Sequence, residues 1–179
     1  MAIERRVLPE YAEELLGLPY PVMIHGAAIA KVDTETGEVL GVAVPDSEGL
    51  AAAVAMTRCL LPVQLAAEEI RFMREVIGLR SGEMAAAIDV DPSTYSRYES
   101  GAQGVGECVE RALRIYVCAS LAEKVAIPFD ARKLTGMRVT RRNSDTPWPE
   151  MTFGRVKMKI MGSGHSEIQN QWEPELKAA

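Results

Sequence analysis

The sequence predicts an α+β fold: a mainly helical helix-turn-helix core of four to five helices, flanked by a small N-terminal α+β module with a β-hairpin and by a C-terminal β-hairpin extension. Three observations carry this. Residues 20–44 are rich in β-formers around a polar turn. Residues 64–124 hold apolar positions at helical spacing, cut at short intervals by Gly, Ser and Asp-Pro. Two further β-like runs follow Pro128. The expected units are residues 1–61, 62–124 and 125–179.

The first unit opens with a short helix expected over Glu10 to Leu16. The stretches Tyr20 to Val32 and Val39 to Val44 then read as strands. Between them Asp33-Thr34-Glu35-Thr36-Gly37-Glu38 reads as a hairpin turn, because Asp begins a turn by bonding its own backbone and Gly supplies a positive φ near its end. Pro45 ends the second strand. Asp46 or Ser47 caps a helix that runs to about Leu61, with Leu50, Val54 and Cys59 near helical spacing.

From Gln64 the period becomes helical, with apolar positions at Ile70, Met73, Ile77 and Leu79, then Met84, Ala85, Ile88 and Val90, then Tyr95 and Tyr98. Gly78 stops the first helix and Ser81 starts the second. Asp91-Pro92-Ser93 opens the third with an N-cap and a proline in its first turn, and Gly101 closes it. A longer helix from about Val105 to Lys124 puts Val109, Ala112, Leu113, Tyr116 and Val117 on one apolar stripe.

In the last unit, Met137 to Thr140 and Met151 to Ile160 read as the strands of a hairpin across Asn143-Ser144-Asp145-Thr146-Pro147. The polar tail from Gly162 is the segment least expected to be ordered.

Composition excludes several classes. The 179 residues, 47% apolar and 25% charged, suffice for a core without staples. No apolar run approaches the ~20 residues of a membrane span, and Arg5-Arg6 leads into Pro9 and Glu10 in place of a signal peptide, so a cytoplasmic protein is expected. Cys59, Cys108 and Cys118 form no C-x-x-C pair, and His25 and His165 lack a second ligand at metal spacing, so no metal or other cofactor is expected. No Ser-His-Asp group, phosphate-cradling Gly loop or paired carboxylates can be named, so no enzyme is expected.

Charge is unevenly placed. Net charge is −5, yet residues 1–61 hold four basic against nine acidic residues, residues 62–124 seven against ten, and residues 125–179 nine against six. Arg138, Arg141, Arg142, Arg155, Lys157 and Lys159 all fall in the last unit, where an anionic partner would most naturally touch.

Two short helices around a tight turn, Ser81 to Ile88 and Pro92 to Ser100, have the layout in which a second helix enters the DNA major groove. Ala85 suits the helix crossing, Val90 fills the turn, and Tyr95 and Tyr98 face the core. The opposite face offers Ser93, Thr94 and Arg97 to base edges, with Arg97 able to make a bidentate contact to guanine. Ser81, Ser96 and Arg80 are positioned for phosphates. Arg141-Arg142 reads either as a solvated strand end or as a phosphate contact of the C-terminal hairpin. Proteins with one such motif per chain pair up to span two half-sites, so a homodimer on a palindromic double-stranded operator is expected.

Over about 60 residues, Ile77-Gly78-Leu79 through Asp91-Pro92-Ser93-Thr94-Tyr95-Ser96-Arg97-Tyr98-Glu99-Ser100-Gly101 resembles the helix-turn-helix of Cro and phage-repressor-like (XRE) regulators. Glu68-Glu69-Ile70-Arg71-Phe72-Met73-Arg74 and Val44-Pro45-Asp46-Ser47-Glu48-Gly49-Leu50 are similar to MqsA-type antitoxins, which place a zinc module before this motif. Asp33 and Thr36 stand where that subfamily has its zinc thiolates. The resemblance implies a DNA-binding transcriptional regulator, an autorepressor. The alternative it implies is an antitoxin whose residues 1–61, a degenerate module, bind a toxin partner.

Overall fold

Leu50 to Cys59 holds two polar residues in ten, Thr57 and Arg58, and a helix that is apolar nearly all round must be surrounded by protein. The computed structural model, which describes residues 2–162 and 165–175 (157–162 and 165–170 along the backbone alone), places this segment at the centre of an α+β fold. Helix α1, Ser47–Leu60, is capped by Asp46, whose side chain accepts from the Gly49 amide, and buries Leu50, Ala52, Ala53, Val54, Ala55, Met56, Arg58 and Cys59. The alanines allow close approach from several sides.

Five strands precede it: β1 Ile3–Val7, β2 Glu10–Glu13, β3 Val22–His25, β4 Ile29–Asp33 and β5 Val39–Ala43. The expected β4–β5 hairpin forms, with Gly37 at φ +75° and the Asp33 carboxylate accepting from the Glu35 amide. The expected helix over Glu10 to Leu16 does not. Tyr11 and Ala12 instead pair with Ile24 and Met23, the Glu13 carboxylate accepts from the Leu15 amide, and Gly17 turns the chain at φ +73°. Nor is Tyr20 to Val32 one strand. Gly26, at φ +60°, divides it, and the halves enter different sheets, a three-stranded β1-β4-β5 and a four-stranded β2-β3-β6-β7.

After α1 come α2 Ala67–Val76, α3 Ser81–Ala87, α4 Pro92–Glu99 and α5 Glu107–Leu121, within a few residues of the expected helices. The expected α5 stripe is rotated. Ala112 is exposed, and the buried face is Glu110, Leu113, Arg114, Val117, Cys118 and Leu121. Two charges lie inside because they have buried partners, described below.

The C-terminal third departs most. A short helix, α6 Ala131–Thr135, capped by Asp130, buries Leu134. Met137 to Thr140 forms no hairpin with Met151 to Ile160. Thr140 makes an isolated parallel bridge to Val63, donating its amide to the Pro62 carbonyl and accepting from the Gln64 amide. Strand β6, Thr152–Gly162, runs parallel to β3 and antiparallel to β7, His165–Pro174. The sequence after Gly162 is therefore mostly strand, corrected from the expected tail; Ser163, Gly164 and residues 176–179 lie outside the described residues. The pairing comes from the β6 ladder and from buried Trp172, whose indole N–H donates to the Asp46 carbonyl.

One core joins all three stretches of chain, with Val22 and Ile24, Leu50, Val54 and Met56, Ile70 and Met73, Leu113 and Val117, and Phe153 and Trp172 in a continuous cluster. Beside it lies a buried polar node. Arg58 donates to both Glu69 carboxylate oxygens and to the carbonyls of Val63 and Gln64, and the Tyr20 hydroxyl donates to Glu69. Arg114, paired with Glu110 one turn away, donates to the carbonyls of Cys59, Leu61 and Val63. The Leu65 amide donates to Glu110 and the Ala66 amide to Glu69. Two arginines and two glutamates thus satisfy the open end of α1 and the turn into α2, groups that would otherwise be orphaned in the interior. Among the described residues no helix is long and apolar enough to cross a membrane.

Candidate nucleic-acid interface

The α3–α4 pair is fixed by local chemistry at each step. Gly78, at φ +76°, lets the chain leave α2, and the Arg80 amide, first in the open row at the start of α3, donates to the Glu83 carboxylate at 2.7 Å. The turn between the helices is a Schellman closure. Asp89 takes the left-handed conformation at φ +55°, the Asp89 amide donates to the Ala86 carbonyl, and the Val90 amide donates to the Ala85 carbonyl at 2.9 Å. Asp is among the few non-glycine residues that tolerate this conformation. Ala85, fully buried, and half-buried Val90 fill the crossing.

Helix α4 starts on Asp91. Its Oδ1 accepts from the Ser93 amide (2.9 Å), the Thr94 amide (3.2 Å) and the Ser93 hydroxyl (2.5 Å), while Pro92 occupies the first turn. The Ser93 hydroxyl first, and these amides after it, hold the Asp91 carboxyl below the ordinary carboxylate range. The inward face is Tyr95 and Tyr98, both buried, with ring centroids 6.5 Å apart and planes at 77°. Burial, and then the Glu99 charge, push the Tyr95 hydroxyl far above its usual value, so it stays neutral.

The far end of α4 is pinned to α2. Arg74 Nε donates to Glu99 Oε1 at 2.6 Å, Arg74 Nη1 to the Leu79 carbonyl at 2.9 Å, and Arg71 to the Glu99 carbonyl at 3.1 Å. The hydrogen bond to Glu99 raises the already high pKa of Arg74. The sequence gives no sign of this support, because Arg74 and Glu99 stand 25 residues apart on separate helices.

Six of the eight residues expected at the site come together here. Ser93, Ser96 and Arg97 lie exposed on the outer face of α4, with half-buried Thr94 beside them. Arg97 Nη2 donates to Thr94 Oγ1 at 2.8 Å, so the guanidinium is held along the helix rather than free in solvent. Arg80 is exposed and Ser81 half-buried at the start of α3.

Arg141 and Arg142 belong elsewhere in the fold, after the Thr140 bridge to Val63. Arg141 is exposed. The Arg142 amide donates to the Gln64 side chain, and its guanidinium lies 3.4 Å over the Trp148 ring, which packs 5.2 Å from Tyr20. Arg142 thus fastens the C-terminal segment to the body of the protein.

Two other places can be compared with this one. Among the described residues no three His, Cys, Asp or Glu side chains converge as metal ligands, and the Asp33 carboxylate is used within its own turn. A groove of about 630 Å³, bordered by Asp46, Glu48, Glu75, Glu123 and Trp172, contains none of the expected site residues. No family model, curated protein or solved structure matches the chain.

Proposed function

We propose that this protein is a sequence-specific, double-stranded DNA-binding regulator of transcription, acting as a homodimer on a palindromic operator and repressing its own synthesis. The observation that carries the reading is the outer face of α4. A short helix is anchored at both ends, by Asp91 and by Arg74–Glu99, and turns two tyrosines inward, so that Ser93, Ser96 and Arg97 stand outward on a rigid support. In this reading Arg97 and Thr94, already bonded to each other, present one donor surface to base edges, and Ser93 joins them. Arg80, Ser81 and Ser96 hold phosphates and set the register. The likeness of residues 77–101 to Cro and phage-repressor-like regulators supports the same conclusion, and repression follows from that likeness.

A gel-shift titration of the purified protein against the DNA upstream of its own gene, with excess competitor, tests the reading. A discrete, competitor-resistant complex is expected. No shift at micromolar protein would leave the α3–α4 pair as scaffold.

A second reading has its own observation. Ile3, Val7, Val39 and Leu40, all on the β1-β4-β5 sheet, are large apolar residues left exposed, which favours a protein partner for residues 1–61, a toxin if the chain is an antitoxin. Co-purification of a small neighbouring gene product with the protein would support it.

A further inference from the structure

Strand β1 is an open edge of the three-stranded sheet β1-β4-β5, and all five of its residues are exposed. The Thr34 amide donates to the Ala2 carbonyl and the Leu8 amide to the Ala28 carbonyl. With Glu4 opposite Val32 and Arg6 opposite Ala30, the even-numbered residues of this stretch direct their backbone groups at β4. The amides and carbonyls of Ile3, Arg5 and Val7 therefore point away from the sheet, and no described strand pairs with them. Pro9, which has no amide to offer, ends the run. Open edges are a hazard that folded chains normally blunt. The other edge is blunted: the β5 ladder slips between Lys31 and Val32, leaving Leu40 without a partner on β4. β1 stays in register throughout.

The sequence of this edge is complementary to itself. Laid antiparallel against a second copy, its outward groups meet only if odd-numbered residues face odd-numbered ones. The register centred on Arg5 sets Ile3 of each copy opposite Val7 of the other and Arg5 opposite Arg5, each pair exchanging two backbone hydrogen bonds. Between these pairs, Glu4 of each copy falls opposite Arg6 of the other, at positions where Cα atoms come to about 4.5 Å and side chains are closest. Sliding the register toward either end brings Glu4 onto Glu4 or Arg6 onto Arg6. Glu4 and Arg6 already share one side of β1, Arg6 Nη2 lying 3.4 Å from Glu4 Oε2, and their side chains are 53% and 63% exposed, so both can reach across the edge. On the opposite side Ile3 and Val7, each 56% exposed, would cover one another across the joint. The unfavourable pair is Arg5 against Arg5, and it falls at a hydrogen-bonded position, where Cα atoms stand about 5.5 Å apart.

We propose that the homodimer forms through β1, edge to edge and antiparallel about a two-fold axis at Arg5, joining the three-stranded sheets of two copies into one. This deepens the reading of the protein as a dimeric regulator and rests on that reading for its role, while the contact itself requires no DNA. The occupant of the Ile3 and Val7 patch is then a second copy of this chain, favoured over any other protein by the match of Glu4 to Arg6 on a strand that meets itself.

Sedimentation equilibrium of the full chain without DNA tests this, with circular dichroism to check that each variant is folded. The unaltered protein is expected to show a monomer–dimer equilibrium. Glu4→Arg and Arg6→Glu each set like charges across both pairs and weaken the dimer at least ~tenfold. Mixed in equal amounts, these two variants recover the dimer, because every charge pair between them is again of opposite sign, and so does the chain carrying both changes. Arg5→Thr removes the like charges on the axis and tightens the dimer. An unaltered protein that is monomeric at tens of micromolar overturns the proposal, as do single variants that dimerise undiminished, a mixture that stays monomeric, or association that runs on past the dimer. A neighbouring gene product that binds the monomeric protein and is lost with Glu4→Arg would overturn it too, giving the patch to another protein. Arg97→Ala separates this claim from the reading of α4. If the β1 variants behave as expected while Arg97→Ala keeps full preference for the upstream duplex, the β1 contact stands and the reading of α4 falls; if the β1 variants dimerise undiminished while Arg97→Ala loses preference, the reverse holds.

Discussion

Arg74 in α2 and Glu99 at the end of α4 are joined Nε to Oε1 at 2.6 Å, across a contact that ties α4 to the body of the protein. Glu99 also presents its carbonyl to Arg71, so two arginines of one helix hold the last turn of another. Orientation of α4 thus depends on Arg71, Arg74 and Glu99, which lie apart from its exposed residues Ser93, Ser96 and Arg97.

Arg74→Met is expected to lower unfolding free energy by about 1.5 to 3 kcal/mol, the usual worth of a charge-assisted hydrogen bond, because it leaves the nearly buried Glu99 carboxylate without its partner. Urea unfolding followed by circular dichroism measures this. Operator affinity should fall by more than the unfolded fraction explains. Full affinity in a destabilised variant would show that the pair supports the fold and not the pose of α4.

The Arg58–Glu69 pair is buried to 1% and 0% exposure, and removing one partner strands the other charge in the interior. Glu69→Gln and Arg58→Met are each expected to cost about 3 to 5 kcal/mol in chemical denaturation. The double variant should cost clearly less than their sum. Strict additivity would mean that Arg58 acts through the Val63 and Gln64 carbonyls alone.

Acid should loosen α4 first at its start. The Asp91 carboxyl is held below its ordinary range in the folded chain, so its contribution is complete above about pH 4 and is lost as pH falls through the lowered folded value. Asp91→Asn keeps the capping oxygen and removes the titration. The melting temperatures of the two proteins should therefore converge as pH drops below that range, and a difference independent of pH would remove the ionised cap from the account.

Thiol accessibility checks the packing of α1 on α5. Cys108 is exposed, while Cys59 and Cys118 are buried, and burial pushes the Cys59 thiol up. Hydrogen bonding from Cys59 lowers the Cys118 thiol, but its burial still shields it from reagent. A thiol reagent should titrate one cysteine in the native protein and three in denaturant. Two or more fast thiols in the native protein would contradict the packing.

The helices from α1 to α5 were legible because their signals are local. Asp46, Gly78, Asp91-Pro92 and Gly101 each act within a few residues of where they stand, and the Asp33–Gly37 turn does the same for β4 and β5. What was illegible is what depends on distant partners. β2 was read as helix because its pairing with β3 leaves no periodic trace in four residues, and the parallel β3–β6 contact joins residues about 130 apart in sequence. The same reason hid the polar node. Arg58, Glu110 and Arg114 look like solvent-facing charges until the turn from Leu61 to Ala66 is folded against them. At the candidate site, the tyrosine spacing put Ser93, Thr94 and Arg97 on the outer face, where Ser93 and Arg97 are exposed and Thr94 is half-buried, whereas the hold of Arg74 on Glu99, and of Arg142 on Trp148, left no trace in the sequence.

The most direct test of the central claim, that α4 reads DNA, compares Arg97→Ala with the unaltered protein on the same upstream duplex under competitor. Arg97 is exposed and its one side-chain hydrogen bond is to Thr94 of the same helix, so fold and oligomeric state should survive the change. The account predicts a loss of about 1 to 3 kcal/mol in specific binding, with residual nonspecific affinity largely kept. Specific binding of undiminished strength in a folded Arg97→Ala protein would contradict it.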